Sequence, residues 1–552
     1  MKPRTKHGSN STGGSIVGPT AFARTLGVTK GARMKQGRNG AGRGAVGLTV
    51  AFGLALSIAG LFAVRAAGPD KIMIWSPGDN GTVKDWTKDA ILAEVERATN
   101  TDIEIVRIGW DVYTDRLNAA IASGKVPDII TTVDHNNKTL IGQMIKDGIV
   151  APFDGDLGKL MPNVLAEYQK NASLNELKYD GKIYMKPVSW GAGNYPNQGI
   201  LHVRKDVLDK LRLKAPETFA QYADYLRACT KTGLKGVVFA AGGDGGLGGL
   251  TSAFAGAYGL PFGGWVKAKD RGFGAAAIQP GMADALLLFR AMVADGLVDP
   301  QSWEFKNGDD ARNKYVAGET CALIFNGGGH IGRIQNDMDA AKKGAENWVL
   351  PALSAGKGAR GYTTEPRFWS GTFLAKLPGN NPTAGARVLN YLSSQQGLDL
   401  TSLGIRGQDY EKKGSEIVLN KESRSAHNFP SGAGDTGAHP LATPIVSWVP
   451  QELQDFSLLY GKPKTYQTWY RQMFANQGKY KTPSYGLLTT TPLWTKASAS
   501  LNDLTARSLL EIVRSGSEAD ARAKFEAFVK AWLAQGAEAQ SEMSTALAAI
   551  YK

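Results

Sequence analysis

The sequence predicts an α/β fold of two lobes, each with a mainly parallel β-sheet flanked by helices, and a helical C-terminal tail. Short apolar segments of strand length alternate with longer amphipathic segments, which is the order of a βαβ protein. The chain has 552 residues, more than one hydrophobic core accommodates, so two or more domains are expected. Between the two predicted sheets lies Tyr179–Leu208, where two apolar runs flank a segment rich in Gly, Asn and Pro. Such a segment is expected of a crossover at a hinge.

The details of this crossover support the hinge prediction. Asp180-Gly181 supplies the positive φ angles that a tight turn requires. The apolar run Ile183–Val188 contains Pro187, which restricts it to an edge strand or to the end of a strand. Trp190 follows in the Gly- and Asn-rich segment, so we expect an aromatic side chain beside a cleft.

Residues 1–66 have the pattern of an export signal. They hold ten Lys and Arg residues, no Asp or Glu, and the largely apolar run Ala45–Val64. Read from Met34, the segment has a basic start, an apolar middle and small residues at its end, so we expect translation to begin at Met34 and cleavage to follow Ala66. The alternative is an uncleaved anchor, since the apolar run approaches the length of a membrane span. We therefore predict a periplasmic protein exported through a cleavable N-terminal signal.

The basic charge belongs mostly to this leader. The net charge is +14, but the chain after residue 66 has 54 basic and 50 acidic residues, which argues against nucleic-acid binding. No Asp-x-Asp-x-Asp-Gly loop or Cys/His cluster occurs, so we expect no metal and no cofactor. The two cysteines, Cys229 and Cys321, lie in apolar surroundings. An oxidising compartment would permit one disulfide, but these surroundings favour two buried free thiols.

The first lobe is predicted to begin with a βαβαβ order. Ligands of such parallel sheets bind beyond the carboxyl ends of the strands. The residues after Trp75, and those after Ile130 from Thr131 to Asn136, are therefore cleft candidates. The predicted segments are strands at 71–75, 101–109 and 126–130, with helices at 85–99 and 113–123.

The rest of the chain continues this alternation. Thr218 and Gln221 form a predicted capping box, and Asn381-Pro382 is a good helix start. The glycine cluster at 242–246 lacks the Lys and Ser/Thr of a phosphate loop, so a mobile loop is expected. The further segments are helices at 137–148, 206–211, 219–230, 282–296, 311–317, 382–394 and 501–552, and strands at 236–241, 320–325 and 367–375.

Several motifs together resemble the extracellular solute-binding proteins of ABC importers, of the carbohydrate-binding family 1. Residues 122–130 (ASGKVPDII) resemble the family's ASGxxPDII, and residues 180–184 (DGKIY) resemble its xGKIY. Residues 204–206 (RKD) and 404–407 (GIRG) resemble its RKD and GIxG segments. The length and the GIRG segment are similar to the longer subgroup of alginate-oligosaccharide-binding and LipO-like receptors.

The resemblance implies a periplasmic-binding-protein-like fold in which hinge crossovers join the lobes. It places residues 67–190 and 368–440 in the N-terminal lobe, and residues 195–365 and 445–552 in the C-terminal lobe. Trp190 in the first crossover and Trp369 in the return would then lie near the floor of the cleft.

Oligosaccharides present flat C–H faces and rims of hydroxyls, which require aromatic platforms and bidentate polar partners. Each candidate below has a plainer alternative, a packed aromatic ring or a solvated charge. If the sugar is acidic, Arg367 and Lys186 are expected to pair with its carboxylates. The candidate platforms and polar partners are Trp190, Trp265, Trp303, Trp369, Asp134, His135, Glu365, Arg367, Tyr195 and Tyr362.

The predicted function is that of a receptor and not of an enzyme. We expect an oligosaccharide ligand, neutral or acidic, the transmembrane subunits of an ABC permease as partner, and a monomer that closes about its hinge. One alternative is a secreted polysaccharide lyase or hydrolase; a hydrolase would need two carboxylates across a cleft, and no spacing in the sequence supports such a pair. A receptor of the same fold for a non-sugar solute is the other alternative.

Overall fold

The computed structural model describes most of the chain after the leader. The described residues are 68–77, 83–134, 137–170, 172–188, 199–242, 253–261, 263–268, 272–327, 329–341, 344–355, 362–364, 368, 370–414, 416–429, 438–442, 451–486 and 489–551. The predicted export signal and the glycine cluster beyond Gly242 lie outside these residues. Residues 67–552 form one compact unit.

Fifteen strands occur in the described residues. In chain order they are β1 (Asp70–Pro77), β2 (Thr101–Ile108), β3 (Ile129–Asp134), β4 (Met185–Val188), β5 (Ile200–Arg204), β6 (Lys235–Val238), β7 (Trp265–Ala268), β8 (Gly272–Ala275), β9 (Thr320–Phe325), β10 (Asn347–Val349), β11 (Tyr362–Thr364), β12 (Ser370–Leu374), β13 (Tyr410–Lys413), β14 (Glu416–Leu419) and β15 (Lys481–Pro483).

The α-helices of the described residues are α1 (Ala90–Thr99), α2 (Trp110–Ser123), α3 (Lys138–Lys146), α4 (Gly155–Leu160), α5 (Pro162–Lys170), α6 (Lys205–Lys210), α7 (Phe219–Thr230), α8 (Pro280–Ala294), α9 (Gly308–Val316), α10 (Gly329–Ala340), α11 (Pro382–Leu392), α12 (Gln395–Leu403), α13 (Lys421–Ala426), α14 (Gln451–Leu459), α15 (Lys464–Lys479), α16 (Pro492–Val513) and α17 (Glu518–Ile550). None of them combines the length and the apolar character that a membrane span requires.

The first lobe is the five-stranded sheet with order β2-β1-β3-β12-β4 and the helices that pack on it. Strands β2, β1 and β3 are parallel, as the βαβαβ order predicts, and β12 is antiparallel to both β3 and β4. The β12 strand returns from the second lobe, so it enters the sheet at the edge where β3 and β4 end and must run in the opposite direction.

The second lobe is the four-stranded sheet with order β10-β5-β9-β6 and its helices. Only the β6–β9 pair is parallel; β5 is antiparallel to both β9 and β10. This sheet is therefore mixed where the sequence led us to expect a mainly parallel one. The reason is again the crossover, since β5 enters the lobe from the first sheet before the lobe's own βα units begin.

Helices cover both faces of each sheet. In the first lobe, Ile72 and Ile74 pack with α1 and α11 on one face, and Ile130 and Val133 pack with α2 and α3 on the other. In the second lobe, a large core joins the sheet to α7, α8 and the long C-terminal hairpin of α16 and α17. A smaller cluster with α9 and α10 covers its other face.

Local signals in the sequence are confirmed at several boundaries. Asp180 and Gly181 both have positive φ, and Tyr179 pairs with Lys182 across them, as expected for the tight turn before the hinge. The Asn381 side chain accepts from the Ala384 amide and begins α11. The Thr218 hydroxyl caps α7 as predicted, but the Gln221 side chain accepts from the Glu217 amide instead of that of Thr218.

The cysteine prediction was wrong in its preference for free thiols. Cys229 of α7 and Cys321 of β9 form a disulfide, with their Cα atoms 6.0 Å apart. Both residues are fully buried between the helix and the sheet. An apolar sequence context is equally compatible with a buried thiol and a buried disulfide, so only the proximity created by the fold distinguishes them.

Candidate ligand-binding site

Four strand ends of the first lobe converge on one edge of its sheet, which we call the carboxyl edge. Strand β1 ends there at Pro77, β3 at Asp134 and β4 at Val188. Ser370, the first residue of β12, pairs with both Asp134 and Val188, so the returning strand begins at the same edge. The segments that join the two lobes therefore leave and enter the first sheet beside the end of β3.

Several polar groups are buried close to this edge. Thr131 is fully buried, and its hydroxyl donates to the Trp75 carbonyl at 2.6 Å. The indole Nε1 of Trp75 and the hydroxyl of Ser370 are buried, and neither finds a hydrogen-bond partner within the described part of the chain. Buried donors without partners are rare in folded proteins, so these two groups are candidates for contact with a bound polar molecule.

Asp128, from the PDII segment, fixes the position of the strands that reach this edge. Its carboxylate accepts from the Met73 amide of β1 at 2.7 Å and from the Asn381 amide at the start of α11, also at 2.7 Å. The Asn380 side chain adds a third contact at 3.3 Å. The aspartate is buried and ties β1, β3 and α11 together, so its role is structural.

One cluster of described residues joins the two lobes, and we call it the interlobe contact. Glu176 of the first lobe accepts from the Gly486 amide at 3.1 Å and from the Thr489 amide at 3.2 Å, and it also pairs with the Tyr551 hydroxyl. Lys138, the first residue of α3, donates to the Thr489 carbonyl at 3.0 Å. Burial lowers the pKa of Lys138 to about 8, an effect that the nearby Glu176 carboxylate opposes.

Lys186 does not have the role suggested for it. It is fully buried on β4, and the charged group that acts on its pKa is Glu167 of α5, which is also buried. Burial lowers the pKa of Lys186 to about 8, while Glu167 favours its charged form. A lysine enclosed in this way supports the hinge strand from inside the lobe and is not available to a carboxylated sugar in this conformation.

Six predicted site residues lie outside the described residues: His135, Trp190, Tyr195, Glu365, Arg367 and Trp369. For Tyr362 the structure gives the backbone, which is in β11 paired with β15. Asp134 is exposed at the end of β3, with its carbonyl accepting from the Asn137 amide. Of the polar candidates, Asp134 is the one that the structure places at the carboxyl edge.

The two described tryptophans of the predicted set lie in the second lobe. Trp265 is only 1% exposed and packs edge-to-face on Trp494 within the large core. A sugar platform needs an exposed face, so this placement counts against Trp265 and we omit it from the proposed site. Trp303 is half-buried and packs edge-to-face on Phe239, with the ring centroids 5.1 Å apart. The Arg514 guanidinium lies 5.5 Å from the Trp303 ring centroid.

Sequence reasoning missed Trp75 and Ser370 as candidates, although their positions at strand ends were available signals. It singled out the residues after Trp75 but treated the tryptophan itself as part of a strand. No group of three or more His, Cys, Asp or Glu side chains that could hold a metal ion occurs in the residues that the structure describes.

Comparison with known proteins gives consistent matches. Residues 80–397 match the family described as bacterial extracellular solute-binding protein. The polygalacturonan/rhamnogalacturonan-binding protein YtcQ of Bacillus subtilis is 34% identical over 149 residues, which cover 26% of this chain and 27% of YtcQ. Lipoprotein LipO of the same organism is 24% identical over 362 residues, covering 61% of this chain and 67% of LipO. The aligned part thus spans about a quarter of YtcQ and two thirds of LipO.

Among solved structures, the alginate-binding protein AlgQ2 without calcium ion matches with a TM-score of 0.63 at 14% identity. The match covers 87% of this chain and 98% of AlgQ2. At this identity the likeness shows the fold, and it confirms the periplasmic-binding-protein-like architecture that the motifs imply. The expected similarity to the alginate-binding and LipO-like subgroup is confirmed as well.

Proposed function

This chain belongs to the bacterial extracellular solute-binding proteins, and we propose that it captures an oligosaccharide between its two lobes and delivers it to an ABC permease. The observation that carries the proposal is the convergence of β1, β3, β4 and β12 at the carboxyl edge, where the crossover segments also begin and end. Parallel α/β sheets bind ligands at this edge. The names of YtcQ and AlgQ2 support a sugar ligand, and both name acidic polysaccharides.

The proposed contacts follow from the chemistry of a sugar. Trp190 and Trp369 would offer ring faces to the C–H surfaces, and Trp303 a third platform from the second lobe. Trp75 and Ser370 would donate from the floor. The polar rim would be formed by Asp134, His135, Glu365, Arg367, Tyr195 and Tyr362, which accept from or donate to hydroxyls.

Delivery would depend on hinge closure. A sugar that contacts both lobes stabilises the closed state, and this differential affinity is what shifts the population towards it. The permease would recognise that state. We further propose that residues 1–66 direct export into the periplasm, with cleavage after Ala66, and that the protein acts as a monomer.

A thermal-shift screen tests the proposal. The probes are oligogalacturonides and alginate oligosaccharides as acidic sugars, with fructo- and malto-oligosaccharides as neutral ones. A ligand at 100 times its Kd stabilises the folded state by about 2.7 kcal/mol, which raises the Tm measurably. Calorimetry on the best ligand should give saturable 1:1 binding, and chromatography of the mixture should show unchanged sugar. Release of shortened or unsaturated products would instead identify a hydrolase or a lyase.

Trp190→Ala is the sharpest variant for the binding surface. We expect it to weaken sugar binding while the Tm of the free protein stays near that of the wild type. Trp469→Ala is the matched control, because Trp469 stacks on Trp348 in the second lobe, with the ring centroids 4.7 Å apart. The control should lower the Tm and leave the Kd unchanged. Equal affinity of Trp190→Ala and wild type would remove Trp190 from the site.

A further inference from the structure

Strand β3 contains one extra residue just before it reaches the carboxyl edge. Val133 pairs with Gly371 and Ile130 pairs with Phe373, so Thr131 and Thr132 together stand opposite the single residue Thr372. This is a β-bulge, which bends a strand and changes the direction of the side chains that follow it.

The bulge reverses the side-chain alternation of β3. In a regular strand, Ile130 and Asp134 lie on one face and Val133 on the other. Here Ile130 and Val133 belong to the same core cluster with α2 and α3, while Ile129 packs on the opposite face. The extra residue therefore moves Asp134 off the face that this core covers, and it lets the carboxylate remain exposed at the edge.

The backbone is strained at the bulge. Thr132 has φ of 58°, in the left-handed region, and it is 4% exposed. It is the sole β-branched residue with positive φ among the described residues; the other non-glycine cases are Asn100, Asp180, Arg212 and Asn428. A β-branched residue in this region persists only where its surroundings hold it there, and such residues concentrate at functional sites.

Tyr113 of α2 holds the bulge from the helix side. Its hydroxyl donates to the Thr131 carbonyl at 2.5 Å, and its ring is 4% exposed within the same cluster as Ile130 and Val133. On the other side the Thr131 hydroxyl reaches the Trp75 carbonyl, so the residue before the strained position is fixed from α2 and from β1.

We propose that Tyr113 is a positioning residue for ligand binding: by anchoring the β3 bulge it aims Asp134 into the site. This inference rests on the proposed function, since Asp134 is one of the proposed ligand contacts. Tyr113 itself touches no ligand in this proposal. Its effect is to fix which face of β3 the Asp134 side chain occupies in the free protein, before a sugar binds.

The test compares Tyr113→Phe with a matched control, Tyr225→Phe. Tyr225 is 1% exposed on α7 of the second lobe, and its hydroxyl donates to the Cys321 carbonyl at 2.8 Å. Each variant thus loses one buried hydrogen bond from a helix to a strand carbonyl. We expect similar decreases in Tm, but only Tyr113→Phe should raise the Kd of the screened oligosaccharide, by about tenfold. Unchanged affinity in Tyr113→Phe, or an equal loss in both variants, would overturn the proposal.

Hydrogen exchange separates this inference from the proposed function. Exchange at the amides of Thr132, Val133 and Asp134 should become faster in Tyr113→Phe and stay as in the wild type in Tyr225→Phe. If no oligosaccharide binds the wild type, the proposed function fails, and faster exchange at the bulge still supports Tyr113 as its anchor. Unchanged exchange would refute the anchoring role whatever the ligand is.

Discussion

Removing the disulfide should destabilise the protein by an amount that the chain length predicts. Cys229 and Cys321 are 92 residues apart in the sequence. In the chain-entropy account, a cross-link that closes a loop of this size lowers the conformational entropy of the unfolded state. This stabilises the folded state by about 4.6 kcal/mol at 25 °C. With an unfolding entropy of about 2.1 cal/mol/K per residue, the Tm falls by about 4–8 °C, depending on whether residues 67–552 unfold together or the second lobe unfolds alone.

Scanning calorimetry of the wild type and of the double variant Cys229→Ala/Cys321→Ala measures this difference. Both sulfur atoms lie in the core of the second lobe, so the lost packing adds to the loss of the cross-link. Reductant should lower the Tm of the wild type towards that of the variant and leave the variant unchanged. Two titratable thiols in unreduced, denatured wild-type protein, or equal Tm values for wild type and variant, would refute the reasoning.

Asp128, His202 and Glu176 each make a contact whose loss can be measured. Asp128→Ala should lower the free energy of unfolding by about 3 kcal/mol in a urea titration, because two partly buried amides lose a charged acceptor, and Asp128→Asn should lose less. Burial lowers the pKa of His202 from 6.5 to about 4, so between these pH values the unfolded state binds more protons than the folded state. The free energy of unfolding should therefore fall by about 3 kcal/mol as the pH drops from 6.5 to 4. In acid denaturation curves, His202→Gln should show a shallower fall. Glu176→Ala should break the interlobe contact, lower the Tm and increase the radius of gyration in small-angle scattering. An unchanged radius would show that this contact does not set the lobe arrangement.

The elements of the fold were predictable where the signal is local. The tight turn at Asp180-Gly181 and the cap at Asn381 each require a particular residue type at one position, and the sequence shows it. The end of β3 was less well predicted, because the predicted strand stopped at Ile130 and the observed one continues to Asp134. Thr131, Thr132 and Val133 are β-branched, so propensity already favoured the longer strand.

The features that sequence reasoning missed depend on contacts between distant segments. Asp128 was noticed as part of a motif, but its partners Met73 and Asn381 are 55 and 253 residues away. Trp265 follows two glycines, which suggested an exposed loop, yet the β7–β8 hairpin packs it under Trp494. Burial of this kind is created by the C-terminal helices, and no local pattern around Trp265 announces it.

A cavity in the second lobe is an alternative location for a ligand, but the groups that line it do not favour sugar binding. A cavity of about 470 Å³ lies along α9 in the second lobe, lined by Phe305, Asp310 and Glu319 among others. Its ammonium group, Lys314, is already paired with the buried Asp299 at 2.8 Å and with Gln301. No described residue of the first lobe lines this cavity, so a sugar bound there would not contact both lobes and would not favour a closed state. The carboxyl edge differs in the respect that matters for the proposed function: it lies where the chain passes between the lobes, so a ligand bound there would be able to change the lobe arrangement.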